Sequence, residues 1–144
     1  MNKKIIAAVL LVSSAFMSMG TGVIADDAIR VLVNGNELDC AEVAPFIESD
    51  CTLVPMRAIF EALGASVDWD EETRTIISYD PANDISIAMQ IDSNTMFIGE
   101  TPISLEAPAR IVGESTVVPV RAVSEGMKST VDWDGDTRTV SVVK

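Results

Sequence analysis

The chain has 144 residues, 10 basic and 22 acidic side chains, two cysteines and no histidine, which is room for one modest domain or two very small ones. Without an imidazole, a Ser-His-Asp or Cys-His nucleophile, a histidine general base and a three-histidine metal centre are excluded. A net charge of -12 and a pI near 4.2 argue against nucleic acid and anionic lipid as partners, because both need a basic stripe.

Residues 1–25 read as an export signal. Lys3 and Lys4 form a positive start, Ile5 to Met19 is an apolar run broken only by Ser13, Ser14 and Ser18, and Val23-Ile24-Ala25 offers small residues for cleavage. An uncleaved anchor fits less well, since a bilayer span needs ~20 apolar residues. Cleavage after Ala25 leaves residues 26–144 with 8 basic and 22 acidic side chains, so the folding part is the more acidic. The expected destination is secreted or cell-envelope associated, with no stable membrane anchor.

Ile29 to Val33 is predicted as a strand and Asn34-Gly35 as a hairpin turn. A loop holding Cys40 and Cys51 follows. In an oxidising compartment this lone pair predicts a disulfide; a redox-active pair is disfavoured by the absence of CxxC spacing. Pro55 suits the start of a helix in which Met56, Ile59, Phe60 and Leu63 recur at i, i+3, i+4, i+7 before Gly64 ends it. Ser66 to Trp69 and Arg74 to Tyr79 form two strands around the turn Asp70-Glu71-Glu72. Ile85, Ile87, Met89 and Ile91 then alternate with Ser86, Ala88 and Gln90 as a further strand.

The rest of the chain repeats the first part. At an offset of 64, residues 31–80 align with 95–144 without a gap, setting Thr52-Leu53-Val54-Pro55-Met56-Arg57-Ala58 against Thr116-Val117-Val118-Pro119-Val120-Arg121-Ala122. Val67-Asp68-Trp69-Asp70 likewise matches Val131-Asp132-Trp133-Asp134. The second helix keeps Val120, Val123 and Met127 but carries Ser124 and Gly126, and Lys128 replaces the terminating glycine. The Ile85–Ile91 strand has its counterpart at residues 20–28, so the first copy is expected to lack it. The predicted fold is α+β: two tandem β-hairpin/helix/β-hairpin repeats, about 31–80 and 95–144, packed as one compact antiparallel-sheet unit.

The doubled pattern, an NG turn followed by TLVPMRAIFEALGASVDWDEETRTI and later TVVPVRAVSEGMKSTVDWDGDTRTV, resembles the bacterial copper amine oxidase N-terminal domain, or stalk domain. The resemblance implies an α+β module of antiparallel strands on helix, used as a stalk or accessory domain in secreted and envelope proteins and separate from the oxidase's catalytic domain. That catalytic domain needs histidine copper ligands and a processed tyrosine. This chain has no histidine and one tyrosine, Tyr79, so neither the activity nor the cofactor is implied. The cysteine pair and Lys128 depart from the family pattern.

Four constellations could carry chemistry. Asp132, Asp134 and Asp136 alternate like the start of a calcium loop, but Thr137 and Val143 stand where an EF-hand needs glycine and glutamate, leaving only a weak calcium candidate. Arg57 and Arg121 precede Glu61 and Glu125 by one helical turn and suit a structural tie better than an anion pocket. Trp69 and Trp133 could stack on sugars but are expected to plug the hairpins onto the helices as core residues. Glu71 with Glu72, or Asp68 with Asp70, could be cast as glycosidase carboxylates, yet they sit on polar turns. The residues kept in both copies, Pro55, Arg57, Trp69, Pro119, Arg121 and Trp133, are expected to be structural, with no catalytic residue and no cofactor. The functional expectation is a non-catalytic module that contacts a protein or cell-wall component; the alternative is a small extracellular hydrolase using paired carboxylates.

Overall fold

The computed structural model describes residues 28–40 and 42–144, and the expected signal peptide with its cleavage site lies outside them. Strand β1 (Arg30–Val33) turns through Asn34-Gly35 into the short β2 (Asn36–Glu37). Both turn residues have positive φ, 51° and 86°, the type I′ backbone that Asn-Gly favours. The segment expected as a loop around the cysteines contains a second hairpin, β3 (Phe46–Glu48) and β4 (Cys51–Pro55). Its turn, Ser49-Asp50, takes positive φ at both residues, 53° and 62°, with no glycine to announce it.

Helix α1 (Met56–Ala62) begins at once, with Pro55 as its N-cap. Proline fits there because it ends the strand and has no N–H to leave unpaired. Met56, Ile59, Phe60 and Leu63 are buried as one stripe. The helix closes in a Schellman motif: the Gly64 N–H donates to the Glu61 carbonyl at 3.0 Å and the Ala65 N–H to the Phe60 carbonyl at 2.9 Å. Strands β5 (Ser66–Asp70) and β6 (Thr75–Asp80) follow, then β7 (Ile85–Gln90), β8 (Thr95–Ile98) and β9 (Thr101–Ser104).

The last elements are β10 (Arg110–Val112), β11 (Ser115–Pro119), α2 (Val120–Gly126), β12 (Thr130–Asp134) and β13 (Thr139–Val143). The bounds of β11, α2 and β12 lie 64 residues beyond those of β4, α1 and β5. Lys128 adopts φ 65° where α1 has glycine. The same two closing bonds form, Lys128 N–H to Glu125 carbonyl at 3.0 Å and Ser129 N–H to Ser124 carbonyl at 2.9 Å. The second helix therefore ends regularly, at a cost of about 1 kcal/mol for a Cβ in the left-handed region.

The strands form three sheets rather than the single antiparallel unit expected: β5-β6-β7-β8-β9, β12-β13-β1-β2 and β10-β11-β4-β3. One pairing is parallel, β1 with β13, from Arg30 opposite Thr139 to Val33 opposite Val142. The five-stranded sheet explains it. There β7 lies antiparallel between β6 and β8, which leaves β6 and β8 parallel to each other. Strands β13 and β1 occupy the matching places, and among the described residues no counterpart of β7 separates them.

In the third sheet β4 and β11 pair antiparallel, with Val54 opposite Val118. These two valines are themselves 64 residues apart, so the pairing is centred on matched positions. As a result each hairpin lies beside the other half's helix: α1 packs on β11 and α2 on β4. One apolar cluster, including Phe60, Ile76, Ile87, Met96, Val118 and Val140, runs through all three sheets. Where α1 contributes Phe60, α2 has Ser124, fully buried with its hydroxyl unpaired. Gly126 lets the Ile87 and Ile98 side chains come within 3.2 Å of where a Cβ would stand. Asp80 is 0% exposed. Lys144 Nζ meets it at 2.7 Å and also donates to the Leu63 carbonyl, tying the residue after β13 to β6 and to the end of α1.

Candidate functional site

Trp69 lies opposite Ile76 across β5 and β6, and the same row continues through Met89, Met96 and Ile103. Directly opposed residues share a face, so the tryptophan points to the core side. Strand β5, however, is the outermost of its sheet, and it is Val67 of this strand, not Trp69, that packs against the main apolar cluster. Trp69 is 36% exposed and Trp133, at the matching edge on β12, is 43% exposed. The expectation that these rings are core plugs is therefore corrected: the face is right, but both overhang the core and border a groove.

The groove over α1 has a volume of about 820 Å³. Pro55, Met56, Arg57, Ala58 and Glu61 at the helix line it, together with Trp69 of β5 and Ile111 of β10. The groove over α2, of about 660 Å³, repeats the plan with Pro119, Arg121, Trp133 and, from β3, Ile47. Each groove thus joins a helix and tryptophan from one half to a hairpin from the other, a consequence of the β4–β11 register. Ile111 and Ile47 are 43% and 44% exposed, so each groove carries an apolar side chain open to water.

Charge separates the two. Five acids, Asp39, Glu42, Glu61, Glu71 and Glu114, line the α1 groove with one cation, Arg57. Three, Asp50, Glu106 and Glu125, line the α2 groove with Arg121. The arginines are engaged locally, Arg57 with Glu61 at 3.3 Å and Arg121 with Glu125 at 3.0 Å. Both pairs are exposed i,i+4 contacts of a few tenths of a kcal/mol. Glu42 accepts a hydrogen bond from the Ser115 hydroxyl at 2.7 Å, linking the β1–β4 segment to β11.

The cysteines are free thiols, and the expected Cys40–Cys51 disulfide is not formed. Cys40 packs against the main apolar cluster, whereas Cys51 opens β4 and packs against the smaller cluster of Leu53, Ala107 and Val117. Burial, aided by the charges of Asp39 and Glu37, pushes the Cys40 thiol up to about 11. Burial and the adjacent Glu106 carboxylate, 3.8 Å from the sulfur, also raise Cys51. Both stay protonated at neutral pH and are poor nucleophiles.

The remaining candidates lie on hairpin turns. Asp134 Oδ1 accepts the N–H groups of Asp136 at 2.9 Å and Thr137 at 3.3 Å, and Asp70 does the same for Glu72 and Thr73. These aspartates cap their turns, and among the described residues no group of three or more acids or cysteines is placed to hold a metal ion. Asp68, Asp70, Glu71 and Glu72 are all exposed, whereas a carboxylate pair for glycoside hydrolysis needs one member enclosed in apolar surroundings. The groove-lining Ile47 and Ile111 were missed by sequence reasoning. Their signal is faint: two exposed β-branched residues at an offset of 64, in hairpins whose turns differ.

A search of curated proteins finds no match to the chain. The family profile described as the copper amine oxidase N-terminal domain matches residues 32–142, from within β1 to within β13. That domain is the oxidase's non-catalytic N-terminal module. By this match the chain belongs to the copper amine oxidase N-terminal domain family.

Proposed function

We propose that the protein is an exported, non-catalytic stalk or accessory module of the cell envelope that works by contact with a protein or cell-wall component. The observation that carries this reading is the pair of open grooves, each lined by a helix, a half-exposed tryptophan and an exposed isoleucine. Aromatic rings at the edge of a concave patch with a polar rim are typical of contact surfaces. Protonated thiols and exposed turn carboxylates lend no support to nucleophilic or acid–base catalysis. We also read the scaffold as two copies of one β-hairpin/helix/β-hairpin unit, which the pairing centred on Val54 and Val118 supports.

The test is affinity capture from envelope and secreted fractions of the source organism, with the Trp69→Ala/Trp133→Ala double variant as control. A partner retained by the parent and lost by a folded double variant supports the reading. Equal retention by both, or turnover of a glycoside or ester abolished by one carboxylate-to-amide change, overturns it.

A further inference from the structure

The two grooves differ in a way that specifies an occupant. Beside Trp69, Glu71 and Glu114 form no ion pair among the described residues, while the groove's one cation, Arg57, is held by Glu61. A groove that holds an exposed aromatic ring and an excess of carboxylates suits a cation, which gains from the ring quadrupole and from the surrounding charge together. A neutral sugar would use the ring but not the acids. A second copy of this chain, carrying -12 in all, would bring like charge to like.

The groove is also much larger than one ammonium group, and the exposed Ile111 lines it together with Glu114, Ser115 and Thr116 of the same hairpin. Ile111 sits on β10 and Trp69 on β5, and each of these strands is the outermost of its sheet. Among the described residues no strand pairs the N–H and C=O groups of these outer edges, which suits an extended chain. Along such a chain, alternate side chains could meet the carboxylates and the exposed isoleucine. The α2 groove keeps this plan with fewer acids, and Ile103 stands where the α1 groove has Asp39.

We propose that the twin grooves bind extended basic peptide segments, a Lys or Arg side chain resting on Trp69 or Trp133 among the carboxylates and an apolar side chain against Ile111 or Ile47, with the α1 groove the stronger site. This deepens the contact reading above and rests on it. The two can fail separately, because envelope capture can succeed through a surface that binds no basic peptide.

The experiment is a calorimetric titration of the purified protein, which needs no tryptophan as reporter, with three probes: the acetylated, amidated peptide Lys-Leu-Lys-Leu-Lys, its glutamate counterpart, and an N-acetylglucosamine hexamer. Saturable binding of the lysine peptide alone is expected, weakening severalfold between about 0.05 and 0.5 M salt. Trp69→Ala should weaken the stronger phase about fivefold and Trp133→Ala only the weaker one. Glu71→Gln/Glu114→Gln, which touches exposed residues only, should weaken it similarly and flatten the salt dependence with melting unchanged. Binding of the glutamate peptide, unaltered binding by the Glu71→Gln/Glu114→Gln variant, or a response to the hexamer without one to the lysine peptide overturns the proposal.

Discussion

Replacing Lys144 by methionine keeps an apolar stem and deletes the charge that meets Asp80. The carboxylate is fully buried and would retain only the Ala82 N–H and the Asn83 side-chain amide, each at 3.0 Å. Removing one partner of a buried ion pair costs about 3–5 kcal/mol. The Lys144 side chain is 16% exposed, so water reaches part of the vacated space and about 3 kcal/mol is the working figure. For a domain of this size that is a fall of about 12 °C in melting temperature. In the parent, burial pushes the Asp80 carboxyl up, but hydrogen bonds from Lys144, Asn83 and Ala82 outweigh it and hold the group below the usual carboxylate range. A depressed carboxyl contributes stability that is present above its unfolded pKa and is lost as pH falls through the folded value. Without Lys144 the burial effect faces less opposition and the carboxyl rises, so the penalty should be largest at neutral pH and shrink below about pH 4. Urea unfolding at both pH values measures this, and Asp80→Asn in the Lys144→Met background should recover part of the loss. A Lys144→Met protein melting within about 1 °C of the parent, or a penalty independent of pH, would refute the account.

Lys128→Gly should stabilise the protein by about 1 kcal/mol, because it relieves a left-handed backbone at a helix end that otherwise matches Gly64; thermal melting reads it directly. Ser124→Ala should add about 0.5–1 kcal/mol by removing a buried hydroxyl without a partner from a helix, whereas a loss in urea unfolding would reveal a hydrogen bond in solution. Trp133→Ala should cost about 1–2 kcal/mol, not the ~3–5 of an enclosed ring, and chemical denaturation beyond that range would place the ring in the core. Both cysteines should react with a thiol reagent without prior reduction, slowly at neutral pH and with Cys40 the slower, since its thiol is pushed up to about 11; intact mass two units light of the free thiols would contradict this.

Much of the local structure was legible because it rests on patterns that sequence displays. The stripe Met56, Ile59, Phe60 and Leu63, the Asn34-Gly35 turn and the alternation from Ile85 to Ile91 each announce one element. The hairpin β3–β4 escaped notice because Ser49 and Asp50 take a left-handed turn without glycine, stabilised by pairing with β11 that no local window contains. The division into three sheets was hidden for the same reason. Strand β1 joins β13 across more than a hundred residues, and its parallel sense follows from a strand missing between them, not from its own sequence.

The tryptophans show why face and burial are separate questions. Period-two alternation places Trp69 and Trp133 on the inward side of their hairpins, and the observed rows through Ile76 and Val140 agree with that. Whether an inward side chain is covered depends on what lies beyond its strand, and among the described residues β5 and β12 have no further strand beyond them. The covering surface could only have come from the opposite half, through β10–β11 and β3–β4. Each of those hairpins contributes one exposed isoleucine, Ile111 or Ile47, to a groove that stays open beside the helix. One feature, the antiparallel pairing centred on Val54 and Val118, thus sets both the closure of the core and the position of the two openings in it. A substitution that shifted that register by one residue would turn the inward set of β4 outward and unseat both grooves at once, so the central pairing governs the contact sites even though neither valine lines them.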